Sequence, residues 1–197
     1  MSKKIYRTAI IGLGAVGKRM LTNLFSHPRF QPVAGYDLSS NSLDNFDLPD
    51  GSFKFVDDIK DLYETGGIDL LYISTPPKFH AEAVYKGLKN KWNIFCEKPM
   101  DLSLQTAKKV LKIVEKTGVK FMLGFNRRFD SNFMKIKRLI DEGKVGEPQI
   151  VKITSRDPKP PPIDYIKSSG GMFLDMTIHD FDMARYCLLY TSDAADE

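Results

Sequence analysis

Residues 5–17, IYRTAIIGLGAVG, set the reading of the whole chain. An apolar, β-branched run ends in Gly12-Leu13-Gly14-Ala15-Val16-Gly17, and a helical stretch, Ala15–Ser26, follows directly. A strand, a glycine turn and a helix in that order form a dinucleotide-binding unit. The first glycine permits the tight turn, the second lets backbone approach a pyrophosphate, and the third lets helix and strand pack closely. The helix start offers N–H groups and the positive end of its dipole to the anion. Asp37 follows a second short strand, Pro32–Tyr36, and stands twenty residues beyond Gly17. A carboxylate there accepts hydrogen bonds from a ribose hydroxyl and repels a 2′-phosphate, so the expected cofactor is NAD rather than NADP.

The alternation continues outward from this unit. Strand signals at Phe53–Val56, Leu70–Ser74, Trp92–Cys96 and Lys120–Gly124 are separated by helical stretches near 58–65, 79–89 and 103–117. In the last of these, Leu104, Ala107, Val110, Leu111 and Val114 share one face, and Gly118 stands at its end. Helix Asn132–Glu142 follows. This pattern predicts an α/β fold: a doubly wound parallel sheet with helices on both faces and right-handed crossovers. The stretch GKVGEP, Gly143–Pro148, reads as a joint. The expected organisation is a cofactor domain over 1–146, then the truncated start of an α+β substrate domain over 147–186. That second part comprises a strand, Gln149–Arg156, a proline-rich loop, Asp157–Pro162, and a helix, Met172–Tyr186.

The last eleven residues, CLLYTSDAADE, are similar to the translation of a transposon-type sequencing adapter, so 187–197 is expected to be a non-native tail. It holds Asp193, Asp196 and Glu197 and no Lys or Arg, which masks part of the cationic excess behind the formal charge of +4. That excess is scattered over helix surfaces with no basic stripe interleaved with aromatics. It suits an anionic cofactor, and no nucleic-acid partner is expected. No apolar run reaches the ~20 residues of a membrane span, and the start, MSKKIYRTAIIGLG, reads as a first strand rather than a signal peptide. Two cysteines are too few for a disulfide framework. The expected setting is the cytoplasm, with no membrane partner.

Chemistry-bearing residues cluster where strands end. Ser74-Thr75-Pro76-Pro77 closes the fourth strand, with His80 opening the next helix, and Glu97-Lys98-Pro99 closes the fifth. In an open parallel sheet both loops lie at the ligand edge. Candidate cofactor contacts are therefore Gly12 to Gly17 including Leu13, Ala15 and Val16, then Asp37, Ser74, Thr75, Pro76, His80, Glu97 and Lys98. Pro99 fixes its own φ and holds Lys98 extended, and the bond between them is a candidate cis peptide. A lysine beside a cofactor polarises a hydroxyl or stabilises an alkoxide. Gly170-Gly171 precedes a helix in which Asp175, His179 and Asp182 are spaced i, i+4 and i+7, one face of a regular helix. No His/Cys cluster supports a metal site, and none is expected.

GLGAVG, STPPKFHAEA, FCEKPM, GFNRRFD and SGGMFLDMTIHDFDMARY, taken together and in this order, resemble the glucose–fructose oxidoreductase, inositol dehydrogenase and rhizopine-catabolism family (Gfo/Idh/MocA) across residues 5–186. Within it the inositol 2-dehydrogenase branch is most similar. The resemblance implies NAD-dependent oxidation of myo-inositol, or a related polyol, to the 2-keto-inositol. It makes Lys98, Asp175 and His179 the catalytic set, with His179 as general base. Arg127, Asp182 and the catalytic set would contact substrate, Asp182 alternatively supporting His179. It further implies a homo-oligomeric parent, a dimer or tetramer, and a second domain much longer than the one present here. Two other functions fit fewer of these residues. One is an NAD(P)-dependent oxidoreductase acting on an aldose or sugar derivative; the other is a non-catalytic dinucleotide-binding regulator, which has no need of Lys98, Asp175 and His179 together.

Overall fold

The computed structural model describes residues 4–188 except 45, 50 and 52. The expected tail lies outside the described residues beyond Leu188. Two compact units divide the chain, Met1–Gly124 and Phe125–Glu197.

The first unit contains β1 (Tyr6–Ile11), α1 (Ala15–Ser26), β2 (Phe30–Tyr36), β3 (Lys54–Phe55), α2 (Ile59–Glu64), β4 (Leu70–Ile73), α3 (His80–Lys89), β5 (Asn93–Cys96), α4 (Leu104–Thr117) and β6 (Phe121–Leu123). The six strands form one sheet in the order β3-β2-β1-β4-β5-β6, and every pair is parallel. The order reverses direction between β1 and β4, the switch point where ligands of such sheets bind.

The strands are buried on both faces, and their side chains alternate accordingly. Ala9 and Ile11 of β1, Leu71 and Ile73 of β4, and Ile94 and Cys96 of β5 share one core with Ala81, Val84 and Leu88 of α3 and Val110 and Val114 of α4. Their intervening neighbours Ile10 and Tyr72 face the other way, into a core closed by Leu21 and Leu24 of α1. This is the doubly wound arrangement that the strand–helix alternation predicts. Local signals hold the helix ends: Ser103 Oγ accepts from the Thr106 amide at 3.4 Å, and Gly118 closes α4 at φ +68°. Replacing such an N-cap by Ala costs about 1 kcal/mol.

The second unit contains α5 (Ser131–Asp141), α6 (Ile163–Ser169) and α7 (Ile178–Leu188). Asp130 caps α5 by accepting from the amides of Asn132 and Phe133. Two expectations differ here. The stretch 149–156, read as a strand from its apolar residues, is in no ladder. A lone strand has no partner for its N–H and C=O groups, and Ile150 is 89% exposed. The helix expected over Met172–Tyr186 is interrupted by a π-helical turn, Phe173–Thr177, before α7 begins. Gly170 and Gly171 precede it at φ +87° and +80°.

Candidate functional site

In the first unit the three glycines of the turn do different work. Gly12 has φ +89°, and a Cβ there would meet the Ser74 carbonyl carbon at 2.6 Å. A Cβ on Gly17 would fall 2.0 Å from the Gly12 carbonyl oxygen. Both are glycine because backbone packs against backbone. Around Gly14 a Cβ would meet nothing within 4 Å among the described residues. Its lack of a side chain serves open space in front of α1, whose N-cap it is and whose first turn carries no side-chain cap.

The neighbouring loops complete the edge. Asp37 accepts from the Leu13 amide at 2.6 Å through Oδ2 and from the Ser39 amide at 2.9 Å through Oδ1, so it ties β2 to the glycine turn. Each carboxylate oxygen keeps acceptor capacity for a ribose hydroxyl. Ser74 Oγ donates to the Gly12 carbonyl at 2.7 Å. Thr75 Oγ1 is buried without a hydrogen-bond partner among the described residues. An orphaned hydroxyl, an open glycine and an uncapped helix start at one sheet edge fit a dinucleotide, whose polar groups would satisfy them.

Glu97 and Lys98 follow β5, and the Lys98–Pro99 peptide is cis. The Tyr72 hydroxyl donates to Glu97 Oε1, and a Cβ at Gly124 would lie 2.9 Å from Glu97 Oε2. Tyr72 is stacked on Phe95 at 5.2 Å, and burial, followed by the Glu97 hydrogen bond, pushes its phenol well above the ordinary range. Burial likewise pushes the Cys96 thiol up, which leaves it inert as a nucleophile.

His80 is 1% exposed, with Nδ1 2.7 Å from the Pro99 carbonyl oxygen and Nε2 2.7 Å from that of Thr75. It joins the two loops rather than presenting a free ring edge. A neutral ring donates to one carbonyl at a time, and only the imidazolium donates to both. Burial nevertheless dominates and lowers its pKa, against the two carbonyls and the charges of Glu97 and Asp101. A histidine whose folded pKa is depressed stabilises the fold above its unfolded value, near 6.5, and that contribution is lost as pH falls through the folded pKa. The thermal midpoint of the chain is therefore expected to drop between about pH 7 and pH 5. His80→Gln is expected to show a flatter profile; an equally steep one would refute the assignment.

In the second unit the helix residues are tied to the turn Asn126–Phe129. Arg127 Nη1 pairs with Asp180 Oδ1, and the Ser155 hydroxyl donates to the same oxygen at 2.7 Å. Burial pushes Asp180 up, but the hydrogen bonds from Ser155 and Arg127, with the charges of Arg127 and His179, outweigh it and hold the carboxyl below its usual range. Arg128 grips Asp182 with two nitrogens, Nε at 2.9 Å from Oδ2 and Nη2 at 2.6 Å from Oδ1. Asp182 is 6% exposed. The His179 ring stands edge-on to Phe125 at 6.2 Å. Asp175, on the π-helical turn, accepts from the Tyr165 hydroxyl at 2.8 Å. Burial and then that bond push the Tyr165 phenol up to about 12.

The sequence singles out Lys98, Asp175, His179 and Asp182 as candidates; the structure adds Tyr72, Ser155, Tyr165 and Asp180 as polar partners in the same two units. Asp180 lies inside the quoted IHDFD stretch, so an ion-pair search against Arg127-Arg128 could have flagged it. Nothing local marks Ser155. Among the described residues no group of three or more His, Cys, Asp or Glu could hold a metal ion, and no helix is long and apolar enough to cross a membrane.

A parallel sheet with a glycine turn at its switch point, an acidic residue ending β2 and an open helix start define a Rossmann-type dinucleotide-binding protein. The chain belongs to the oxidoreductase family with an NAD-binding Rossmann fold (GFO/IDH/MocA), whose model matches residues 6–125; that of the GFO/IDH/MocA C-terminal domain matches 133–192. It is 41% identical over 182 residues to the myo-inositol 2-dehydrogenase of Thermotoga maritima, covering 92% of this chain and 54% of that protein. To the inositol 2-dehydrogenase of Rhizobium meliloti it is 53% identical over 121 residues, 61% of this chain and 37% of that protein. Among solved structures, scyllo-inositol dehydrogenase from Lactobacillus casei with bound NAD(H) and scyllo-inositol superposes with a TM-score of 0.83. That pair is 30% identical, over 94% of this chain and 56% of the other. The chain spans about half the length of the curated relatives it matches over most of its own length.

Proposed function

We propose that this chain carries the cofactor-binding and proton-transfer residues of an NAD-dependent dehydrogenase that oxidises myo-inositol, or a closely related polyol, to the 2-keto-inositol. The observation that carries the reading is the edge formed by the open Gly14 position, the orphaned Thr75 hydroxyl and the α1 start, next to a loop bearing Lys98. The inositol dehydrogenases among its relatives supply the substrate class.

NAD, when bound, supplies the hydride acceptor. The glycine turn and α1 N-terminus would hold its pyrophosphate, and Asp37 would accept from its ribose. Ser74, Thr75, Pro76 and Glu97 line the same edge, and His80 keeps the Thr75 and Pro99 loops together. Lys98 donates to the reacting hydroxyl and stabilises the alkoxide that develops as the hydroxyl proton leaves, before the C–H hydride departs and the carbonyl forms. His179 takes the hydroxyl proton as general base. Asp175 orients substrate or base. Arg127 keeps donors beyond those given to Asp180 and Ser155, and these reach a substrate hydroxyl. Asp182, already gripped by Arg128, supports His179 from its own helix.

Ile150, Ile163, Met172 and Phe173 are each more than half exposed. Apolar exposure of this kind supports the reading that further chain of the parent protein covers them, and that full turnover requires it. The test is NAD reduction by a version extended to the length of its relatives, offered myo-inositol, scyllo-inositol and glucose. Turnover with an inositol well above that with glucose is expected. Preference for glucose would move the assignment to an aldose oxidoreductase, and NAD binding without turnover of any polyol would move it to a regulator.

A further inference from the structure

Four charged side chains fasten α7 to the turn Asn126–Phe129, and their angular placement says what they do. Successive residues of an α-helix are about 100° apart. Measured from His179, Asp180 lies about 100° to one side and Asp182 about 60° to the other. His179 therefore sits in the arc between the two carboxylates. Consecutive arginines hold both: Arg127 takes Asp180, and Arg128 takes Asp182 with its fork. Phe125, two residues before Arg127, stands perpendicular to the His179 ring with centroids 6.2 Å apart.

We propose that Arg127 and Arg128 are positioning residues that set the rotation of α7 about its axis and so the direction of the His179 imidazole. Rotation one way stretches the Arg127–Asp180 pair; rotation the other way stretches Arg128–Asp182. Neither pair alone defines the angle, but opposed tethers do. The bidentate geometry of Arg128 adds directional stiffness that a lysine ammonium lacks. The π-helical turn Phe173–Thr177 lies immediately N-terminal, so the helix carrying His179 does not inherit a regular register from upstream. The angular claim stands on this geometry alone; its bearing on catalysis rests on the reading of His179 as the base.

The test uses imidazole NMR of the 197-residue chain, whose three histidines are each assignable by substitution. His179 is recognised by the ring-current shift that Phe125 imposes, and Phe125→Leu is expected to abolish it. Asp182→Asn and Asp180→Asn each release one tether and are expected to displace the His179 signals differently, with those of His27 and His80 unmoved. Arg128→Lys, which keeps charge and loses the fork, is expected to show part of the Asp182→Asn displacement, and it carries the test if the asparagine variants do not fold. Folded variants with unchanged His179 signals would overturn the proposal, as would one common displacement from both tethers. In the extended protein, kcat is expected to fall roughly 100-fold with the KM for NAD unchanged, the scale of a misplacement near 1 Å. Displaced His179 signals with an intact kcat would uphold the tethers and instead remove His179 from the role of base.

Discussion

Gly14→Val is expected to leave the thermal midpoint of the chain within about 1 °C of the original while weakening NADH binding roughly 100-fold, about 2.7 kcal/mol. The two effects separate because a Cβ at Gly14 meets nothing within 4 Å among the described residues. Its backbone, at φ −68° and ψ −166°, suits any residue. A side chain there projects into the space where a ligand would lie against the start of α1. Gly17→Ala is the control with the opposite signature. Its Cβ would enter the Gly12 carbonyl at 2.0 Å, so α1 must move off β1 before any ligand arrives. Overpacking of this sort costs about 1–3 kcal/mol, so Gly17→Ala is expected to lower the midpoint by several degrees as well as lose NADH. Fluorescence titration with NADH and thermal unfolding of both variants provide the check. Full NADH affinity in a folded Gly14→Val protein would place the dinucleotide elsewhere.

Lys98→Met, in a version extended to the length of the relatives, is expected to reduce kcat with myo-inositol by about 10²–10⁴-fold and to change NAD affinity little. The backbone flanking Lys98 is held from several sides. The Glu97 amide donates to the Ile73 carbonyl at 2.9 Å, the Gly124 amide donates to that of Cys96 at 2.8 Å, and His80 contacts that of Pro99. Flanking backbone held so firmly fixes the point from which the side chain of Lys98 reaches out. Lys98→Arg is expected to recover little, because a planar guanidinium delivers its donors in a different place and shape. Single-turnover kinetics with both variants is the measurement. An unchanged hydride-transfer rate in Lys98→Met would remove this residue from the chemistry.

Much of the first unit was legible because its signals are local or strictly periodic. The glycine spacing, the alternation of Ala9, Ile10 and Ile11, and the caps at Ser103 and Gly118 are each read from a few neighbouring residues. They became strand, turn and helix as expected. His80 was harder: its type and place at a helix start mark it as a possible ligand contact, whereas its partners are carbonyls at 75 and 99. The second unit was less legible for the same reason. The apolar residues at 149–156 read as a strand, but a ladder needs an adjacent strand, which no local pattern supplies.

Composition and motif spacing alone were enough for the class of fold and for the edge of the sheet where a dinucleotide belongs. Those features depend on backbone sterics and short-range periodicity, which travel with the local chain. Folding had to settle which donor meets which acceptor. Arg127 finds Asp180 across 53 positions and Arg128 finds Asp182 across 54. Side chains so far apart in the chain are brought within reach only when helix and turn have packed, so their pairing is a property of three-dimensional assembly.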